Sequence, residues 1–281
     1  MRQVSGSARI GWVVGVSVAL LVGQPSRVVA QQGGPNTGSV TLTGGVDVAD
    51  GYYFRGIPQE ETGVVLQPHG EIGVALTQGK RFVARVGLWN SLHTGSAGLE
   101  GPTGRLWYQS IFSASLDVGV GAGVRVSGGY SANTSPNGLF ESISEVSVRV
   151  SREDTRRVAG VAVGPYALLA AELEGQADGG RREGRYLELG AAPSIDAVGL
   201  TLSAPVRIGL SLGDYYEGFR TDGRFGFLSV SGRASKAIRS TPTRLGTWNV
   251  HGGVEFLQLG ERNRAFGETN VIGSVGMALS Y

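Results

Sequence analysis

The stretch "VTLTGGVDV", Val40 to Val48, alternates without a break. Val40, Leu42, Gly44, Val46 and Val48 fall on one side, and Thr41, Thr43, Gly45 and Asp47 on the other. A period of two belongs to an extended strand, whose successive side chains point to opposite faces. The pattern recurs. "LQPHGEIGVAL" sets Leu66, Ile72, Val74 and Leu76 against Gln67, His69 and Glu71. "EVSVRV" sets Val146, Val148 and Val150 against Glu145, Ser147 and Arg149. "WNVHGGVEF" sets Trp248, Val250, Val254 and Phe256 against Asn249, His251 and Glu255. About twelve such segments can be read, at roughly 38–55, 63–77, 81–91, 104–116, 118–130, 140–151, 158–174, 184–194, 200–213, 223–235, 246–259 and 269–281. None holds a helical period over the length a helix needs.

The connections alternate too. "GIPQEET", "HTGSAGLEGPTG", "SANTSPNG", "EGQADGGRREG", "DYYEGFRTDG" and "GERNRAFGE" are long and polar, whereas "TQGK", "LDVG" and "SREDTR" are short; "KAIRSTPTRLG" is the exception. An even strand number with long and short loops in turn is the pattern of an antiparallel transmembrane barrel with both termini periplasmic. Lipid offers no partner to backbone N–H and C=O groups, so a membrane-spanning sheet must close on itself. The expected fold is therefore all-β, a transmembrane β-barrel of about 12 strands. The alternative is a soluble β-sandwich, whose strands are usually shorter.

Composition fits this reading. The chain has 47 glycines in 281 residues, without a collagen period, and is 41% hydrophobic, too apolar for disorder. It has no cysteine and three histidines, so no disulfide framework, metal site or cofactor is expected. Arg2 and Arg9 precede the apolar run "IGWVVGVSVALLVG" and the small residues of "RVVAQQ". This is the plan of a cleaved secretory signal, residues 1–30, with the barrel in 31–281; a membrane anchor is the alternative. Three of the 25 Lys and Arg lie in 1–30, which leaves 22 against 23 Asp and Glu. No basic patch remains to suggest nucleic acid.

With the polar faces turned inward, Arg55, Glu71, Arg85, Arg105, Arg125, Glu145, Glu188, Arg207, His251 and Glu255 line the lumen, beside Asp47, Arg149, Glu172 and Arg233. Such a wall either selects small solutes or pairs into ladders that brace and block the barrel. Twelve strands about 4.8 Å apart and tilted about 40° give a backbone diameter of roughly 24 Å, narrowed by side chains to ~10 Å. Aromatic rings favour the membrane interfaces. Tyr52, Phe54, Trp89 and Trp107 are expected at the outer one, Trp248 and Tyr281 at the periplasmic one. "DVADGYYFRG" then reads as the outer end of the first strand, with Tyr52 and Phe54 toward the headgroups and Arg55 at the mouth of the lumen.

One motif suggests an enzyme. "GLSLG", Gly209 to Gly213, fits G-x-S-x-G, and Asp222 and His251 follow in hydrolase order. The motif requires a strand, a sharp turn and a helix, and here Ser211 sits within an alternating strand. No catalytic residue is therefore expected. A lipid hydrolase on an outer-membrane barrel ranks behind a channel and behind a structural or adhesive barrel.

Two resemblances add to this. "NVIGSVGMALSY", with Val271, Val275, Met277, Leu279 and Tyr281 on one face, resembles the C-terminal strand by which the assembly machinery recognises bacterial outer-membrane barrels. "YYFRGIPQEETGVVLQPHGEIGVAL" followed by "FVARVGLWNS" resembles the start of the TorF-type porin family of Gram-negative bacteria. Tyr52 or Tyr53, Phe54, Arg55, Gly56 and Gln59, then Trp89 and Ser91, carry the likeness. "FESISEVSV", with Glu141 or Glu145, is similar to that family's Glu-containing strand. The likeness is clearest over 38–92, and Pro58 departs from it. It implies an outer-membrane location and a barrel architecture more than a substrate, and supplies no catalytic residue; the partners expected of such a barrel are outer-membrane lipids and lipopolysaccharide, the assembly machinery and small solutes.

Overall fold

The structure is a computed structural model that describes residues 38–101, 104–153, 160–217, 222–239, 242 and 245–281, without the side chains of 265 and 266. The signal segment expected at 1–30 lies outside the described residues. The strands are β1 (Val40–Ala49), β2 (Tyr52–Phe54), β3 (Ile57–Glu60), β4 (Val65–Ala75), β5 (Phe82–His93), β6 (Trp107–Gly121), β7 (Val124–Thr134), β8 (Ile143–Arg152), β9 (Tyr166–Glu174), β10 (Arg185–Ala191), β11 (Ser194–Ala197), β12 (Leu200–Ser203), β13 (Val206–Gly213), β14 (Phe225–Ile238), β15 (Thr247–Leu259) and β16 (Thr269–Ser280).

Antiparallel pairing runs from β1 through β4, β5, β6, β7, β8, β9, β10, β13, β14, β15 and β16, and β16 pairs back onto β1. Twelve strands thus close a barrel. The β11–β12 hairpin prolongs two of its staves: β12 pairs with β14 through Thr201 opposite Ser235. Pro193 and Pro205 stand at the breaks between β10 and β11 and between β12 and β13. Neither ring nitrogen can donate to a ladder, which interrupts each stave there. Leu42 and Tyr281 exchange backbone hydrogen bonds of 2.8 and 2.7 Å, so the start of β1 and the end of β16 meet at one rim, the one that also carries the short turns.

The two faces are inverted relative to a water-soluble sheet. Leu42, Ile72, Val86, Leu88, Val148 and Val250 are exposed on the outer surface, while Gln67, Glu71, Arg85, Asp117, Glu145 and Ser229 are buried inside. Exposed large apolar side chains over buried charges are what a lipid-facing wall requires and a soluble sandwich excludes.

Three sequence expectations change. The turn read at "LDVG" is part of β6, which runs to Gly121; the chain reverses at Ala122 and Gly123, with φ of 50° and 75°. A two-residue hairpin turn of this hand needs positive φ at both positions, and the glycine supplies one without strain. The first strand ends at Ala49, not near residue 55, and Tyr52 to Glu60 form a separate β2–β3 hairpin. Finally, Tyr52, Phe54 and Trp89 are not interface aromatics: they are 3%, 2% and 0% exposed and lie inside the barrel, whereas Trp107 and Tyr281, at 49% and 43%, face outward. Trp89 sits on the inner phase of β5 with Arg85 and Ser91, so the alternation that turns Arg85 inward also places Trp89 inside. Trp248 is partly buried near the turn rim, and its indole N–H donates to the Leu245 carbonyl at 3.0 Å.

Candidate functional site: the lumen and its in-folded hairpin

The hairpin enters the barrel at the rim of long loops. Phe54 pairs with Ile57 across a two-residue turn, Arg55 and Gly56, with φ of 50° and 79°. Arg-Gly therefore makes the tight turn, and it makes it inside the lumen. A Cβ on Gly56 would meet Cδ1 of Phe227 at 2.7 Å, so glycine is needed there while the Phe227 ring stands on the wall of β14. Tyr52 packs on Trp89, ring centroids 5.4 Å apart, and shares an apolar cluster with Phe54, Val65 and Ile111.

Arg55 holds the tip. Its Nη1 and Nη2 donate to Oε1 and Oε2 of Glu145 at 2.6 and 2.9 Å, and Nη1 also donates to the Tyr215 hydroxyl at 2.7 Å. The guanidinium lies 4.3 Å from the ring centroid of Tyr186 and 5.3 Å from that of Tyr215. Two-pronged guanidinium–carboxylate pairing is strong and geometrically demanding. Both partners are buried, so losing one strands the other away from water. Arg55 is thus in the lumen as expected, but as an anchor and not as a water-exposed lining.

A second loop closes over it. Tyr215 and Tyr216 are buried, and the Tyr216 hydroxyl donates to the Arg55 carbonyl at 2.9 Å. Ser211 shapes that loop: its hydroxyl donates to Asp222 at 2.9 Å and accepts from the Gly213 and Tyr215 amides at 3.1 and 3.2 Å. Ser211 and Asp222 do meet, as the hydrolase order requires. His251 does not join them; its Nε2 lies 2.6 Å from Asp47 Oδ1 on β1.

The base of the hairpin is tied by a group the sequence did not single out. Glu60 accepts from the Thr62 and Ala97 amides at 3.0 and 2.9 Å. Burial opposes its ionisation, but these hydrogen bonds outweigh it and hold the carboxyl below its ordinary range. His93 stands beside it, Nδ1 3.7 Å from Oε2 of Glu60, with Ser91 Oγ 2.8 Å from its Nε2. The trio has the order of a nucleophile, a base and an acid. All three are sealed from solvent and Glu60 is committed to backbone amides, so they act as a polar staple. A Ser-x-His alternation on an inner strand face was the available signal.

The charged wall is paired. Arg85 donates to Glu71 at 2.8 Å and to Asp117 at 2.7 Å. Arg207 reaches Glu255 at 2.6 Å, Arg125 reaches Glu153 at 2.8 Å, and Glu188 accepts from the Tyr166 and Tyr186 hydroxyls, each at 2.6 Å. Glu71, Arg85, Arg125, Glu145, Glu188, Arg207, His251 and Glu255 thus face the interior as the alternation predicts. Arg105 does not; it is exposed in the loop before β6, because the strand begins only at Trp107.

Aromatic and aliphatic side chains fill the loop-rim half of the barrel: Tyr186, Tyr215, Tyr216, Phe227, Leu257 and Leu259 in one cluster, the Tyr52 group in the other. Below the hairpin lies a cavity of about 90 Å³ that touches Arg55 and Gly56. Thr43, Gln67, His69, Ser235, Asn249 and Ser274 help line it. That volume is large enough for several waters, and these side chains offer them hydrogen-bond partners. Glycines open the space beside it: a Cβ on Gly45 would meet His69 Nε2 at 2.7 Å, and one on Gly276 would meet His251 Nε2 at 2.5 Å.

No family model matches the chain, and no curated protein does. Several solved structures are similar over most of their length. An outer-membrane channel from Pseudomonas putida F1 has a TM-score of 0.49 at 11% identity, covering 88% of this chain and 97% of that one. LpxR from Salmonella typhimurium has a TM-score of 0.47 at 12% identity, covering 85% and 99%. The NanC porin has a TM-score of 0.46 at 8% identity, covering 85% and 98%. At such values the fold assignment rests on the strand pairing described above.

Proposed function

We propose that the protein is a Gram-negative outer-membrane channel for passive diffusion of small solutes, with its passage controlled by the in-folded hairpin. The observation that carries this reading is the cavity under the hairpin, which polar and charged side chains such as Gln67, His69 and Asn249 help line, inside a closed barrel whose outer face is apolar. A barrel built only for rigidity gains nothing from an internal cavity. The resemblance of residues 38–92 to TorF-type porins agrees with it. On this reading the apolar face meets outer-membrane lipids and lipopolysaccharide, the β16 strand engages the assembly machinery, and the rim holding Leu42 and Tyr281 is periplasmic.

A second reading is a structural or adhesive barrel with a permanently blocked lumen. The paired wall charges and the two clusters in the loop-rim half favour it. Purified protein in planar bilayers separates the two. A channel gives small stepwise conductance, larger when residues 52–60 are replaced by a short Gly-Ser link. Silence from both proteins after verified insertion leaves the blocked barrel. The proposal includes no catalytic step, and labelling of Ser211 by a fluorophosphonate would overturn that part of it.

A further inference from the structure

The site that holds Arg55 is unusual in who builds it. Glu145 comes from β8, Tyr186 from β10, and Tyr215 from the loop after β13; of the groups around the guanidinium only Phe54, 5.4 Å away, belongs to the hairpin. The barrel thus forms a carboxylate with aromatic walls, and the hairpin brings the cation to it. Glu172 lies directly across from Glu145 in the β8–β9 register, but its two carboxylate oxygens accept from the Ala177 and Gly184 amides at 2.7 and 2.6 Å, so Glu145 alone faces the cation. One carboxylate and two ring faces around one position make a cation receptor. The flat two-pronged contact with Glu145 suits a guanidinium better than an ammonium, which offers a point charge. The cavity borders Arg55 and Gly56, while Glu145, Tyr186 and Tyr215 lie buried behind them, so the cage opens to the cavity when Arg55 leaves it.

We propose that this cage is a binding site for a small guanidinium-bearing solute, and that Arg55 is its intramolecular competitor. The role of such a solute as cargo rests on the channel reading; the binding itself does not. A solute arriving through the cavity exchanges with Arg55, takes up the contacts to Glu145, Tyr186 and Tyr215, and releases the hairpin tip. Arg55 then serves as both plug and stand-in ligand.

The probe is guanidinium chloride, compared with sodium chloride at equal concentration. Arg55 is tethered, so a free competitor must match an effective concentration of millimolar or above, which sets a working range of about 10–100 mM. In Arg55→Ala, whose cage is vacant, guanidinium should raise the midpoint of heat unfolding of the folded barrel by about 2–4 °C over sodium, the shift expected at roughly fivefold excess over the dissociation constant. The double variant Arg55→Ala, Glu145→Gln should show no such difference. In bilayers, guanidinium should raise wild-type conductance about twofold or more over sodium, as the tethered cation is displaced. Equal midpoints in the two salts for Arg55→Ala, or an equal rise in the double variant, overturn the cage. If Arg55→Ala fails to fold, Arg55→Lys, a poorer occupant of the flat site, replaces it with the same two outcomes. The midpoint alone decides the cage; conductance alone decides the channel.

Discussion

Removing either member of the Arg55–Glu145 pair should loosen the hairpin, and removing both should loosen it less. Arg55 and Glu145 are buried and joined at 2.6 and 2.9 Å. Deleting one partner of such a pair costs about 3–5 kcal/mol, mostly because the other charge is left without water or counterion. In the double alanine variant no stranded charge remains. What is lost is chiefly the guanidinium stacked on Tyr186, worth about 2 kcal/mol in a dry site. The coupling energy of the cycle, the two single costs less the double, should therefore be about 4 kcal/mol or more, or roughly 700-fold in the local opening constant. Hydrogen exchange of the amides from Tyr52 to Glu60, in detergent-folded protein, reads that constant directly. Each single variant should exchange about a hundredfold or more faster than the wild type, and the double variant no faster than the milder single. A coupling energy below about 0.5 kcal/mol would refute the anchor, since that is the scatter expected of independent sites.

Two further outcomes follow from the two faces of the wall. Leu88→Arg, on the exposed outer side of β5, should cost about 2–4 kcal/mol in urea titrations of folding into bilayers, as a charge at mid-membrane does; a neutral result would place that face in water. Ser211→Ala deletes the hydroxyl that bonds Asp222 and the Gly213 and Tyr215 amides. It should speed exchange at Tyr215 and Tyr216 while leaving the β14–β15 ladder protected, and unchanged exchange in the loop would show that Ser211 does not shape it.

Most of the architecture was legible because lipid and lumen impose a period of two on every strand. Val40 to Val48 shows it without interruption, and the pairing of β1 with β16 follows from closing the sheet. The inner charges Glu71, Arg85, Glu145, Arg207 and Glu255 were legible for the same reason. What alternation could not reveal was where a strand stops and the chain turns inward. Val46, Val48, Tyr52 and Phe54 keep one phase, so the run continues in sequence past Ala49, where the strand ends in space. Arg55-Gly56 was the missed mark. It is a tight turn between two short strands, and it was read as the boundary between lipid and water. Trp89 failed as an interface mark because distance along a strand says nothing about which face a ring occupies; the phase it shares with Arg85 does. Pairings such as Arg55 with Glu145 and Asp47 with His251 join residues far apart in the chain, and only the closed barrel brings them together.

The anchor, the cavity and the cage all depend on the hairpin tip lying inside the barrel against β14. The chain has no cysteine, so a pair introduced as Gly56→Cys and Phe227→Cys reports on that contact without background. A Cβ at position 56 would stand 2.8 Å from the Cβ of Phe227. Truncating the phenylalanine leaves room for the shift to a normal disulfide separation of about 3.8 Å. Oxidation of the folded double variant should give a quantitative intramolecular cross-link, visible as a mobility change that dithiothreitol reverses. Absence of the cross-link, with the thiol introduced at the hairpin tip instead reacting freely with a bulky water-soluble maleimide in the folded barrel, would contradict the account.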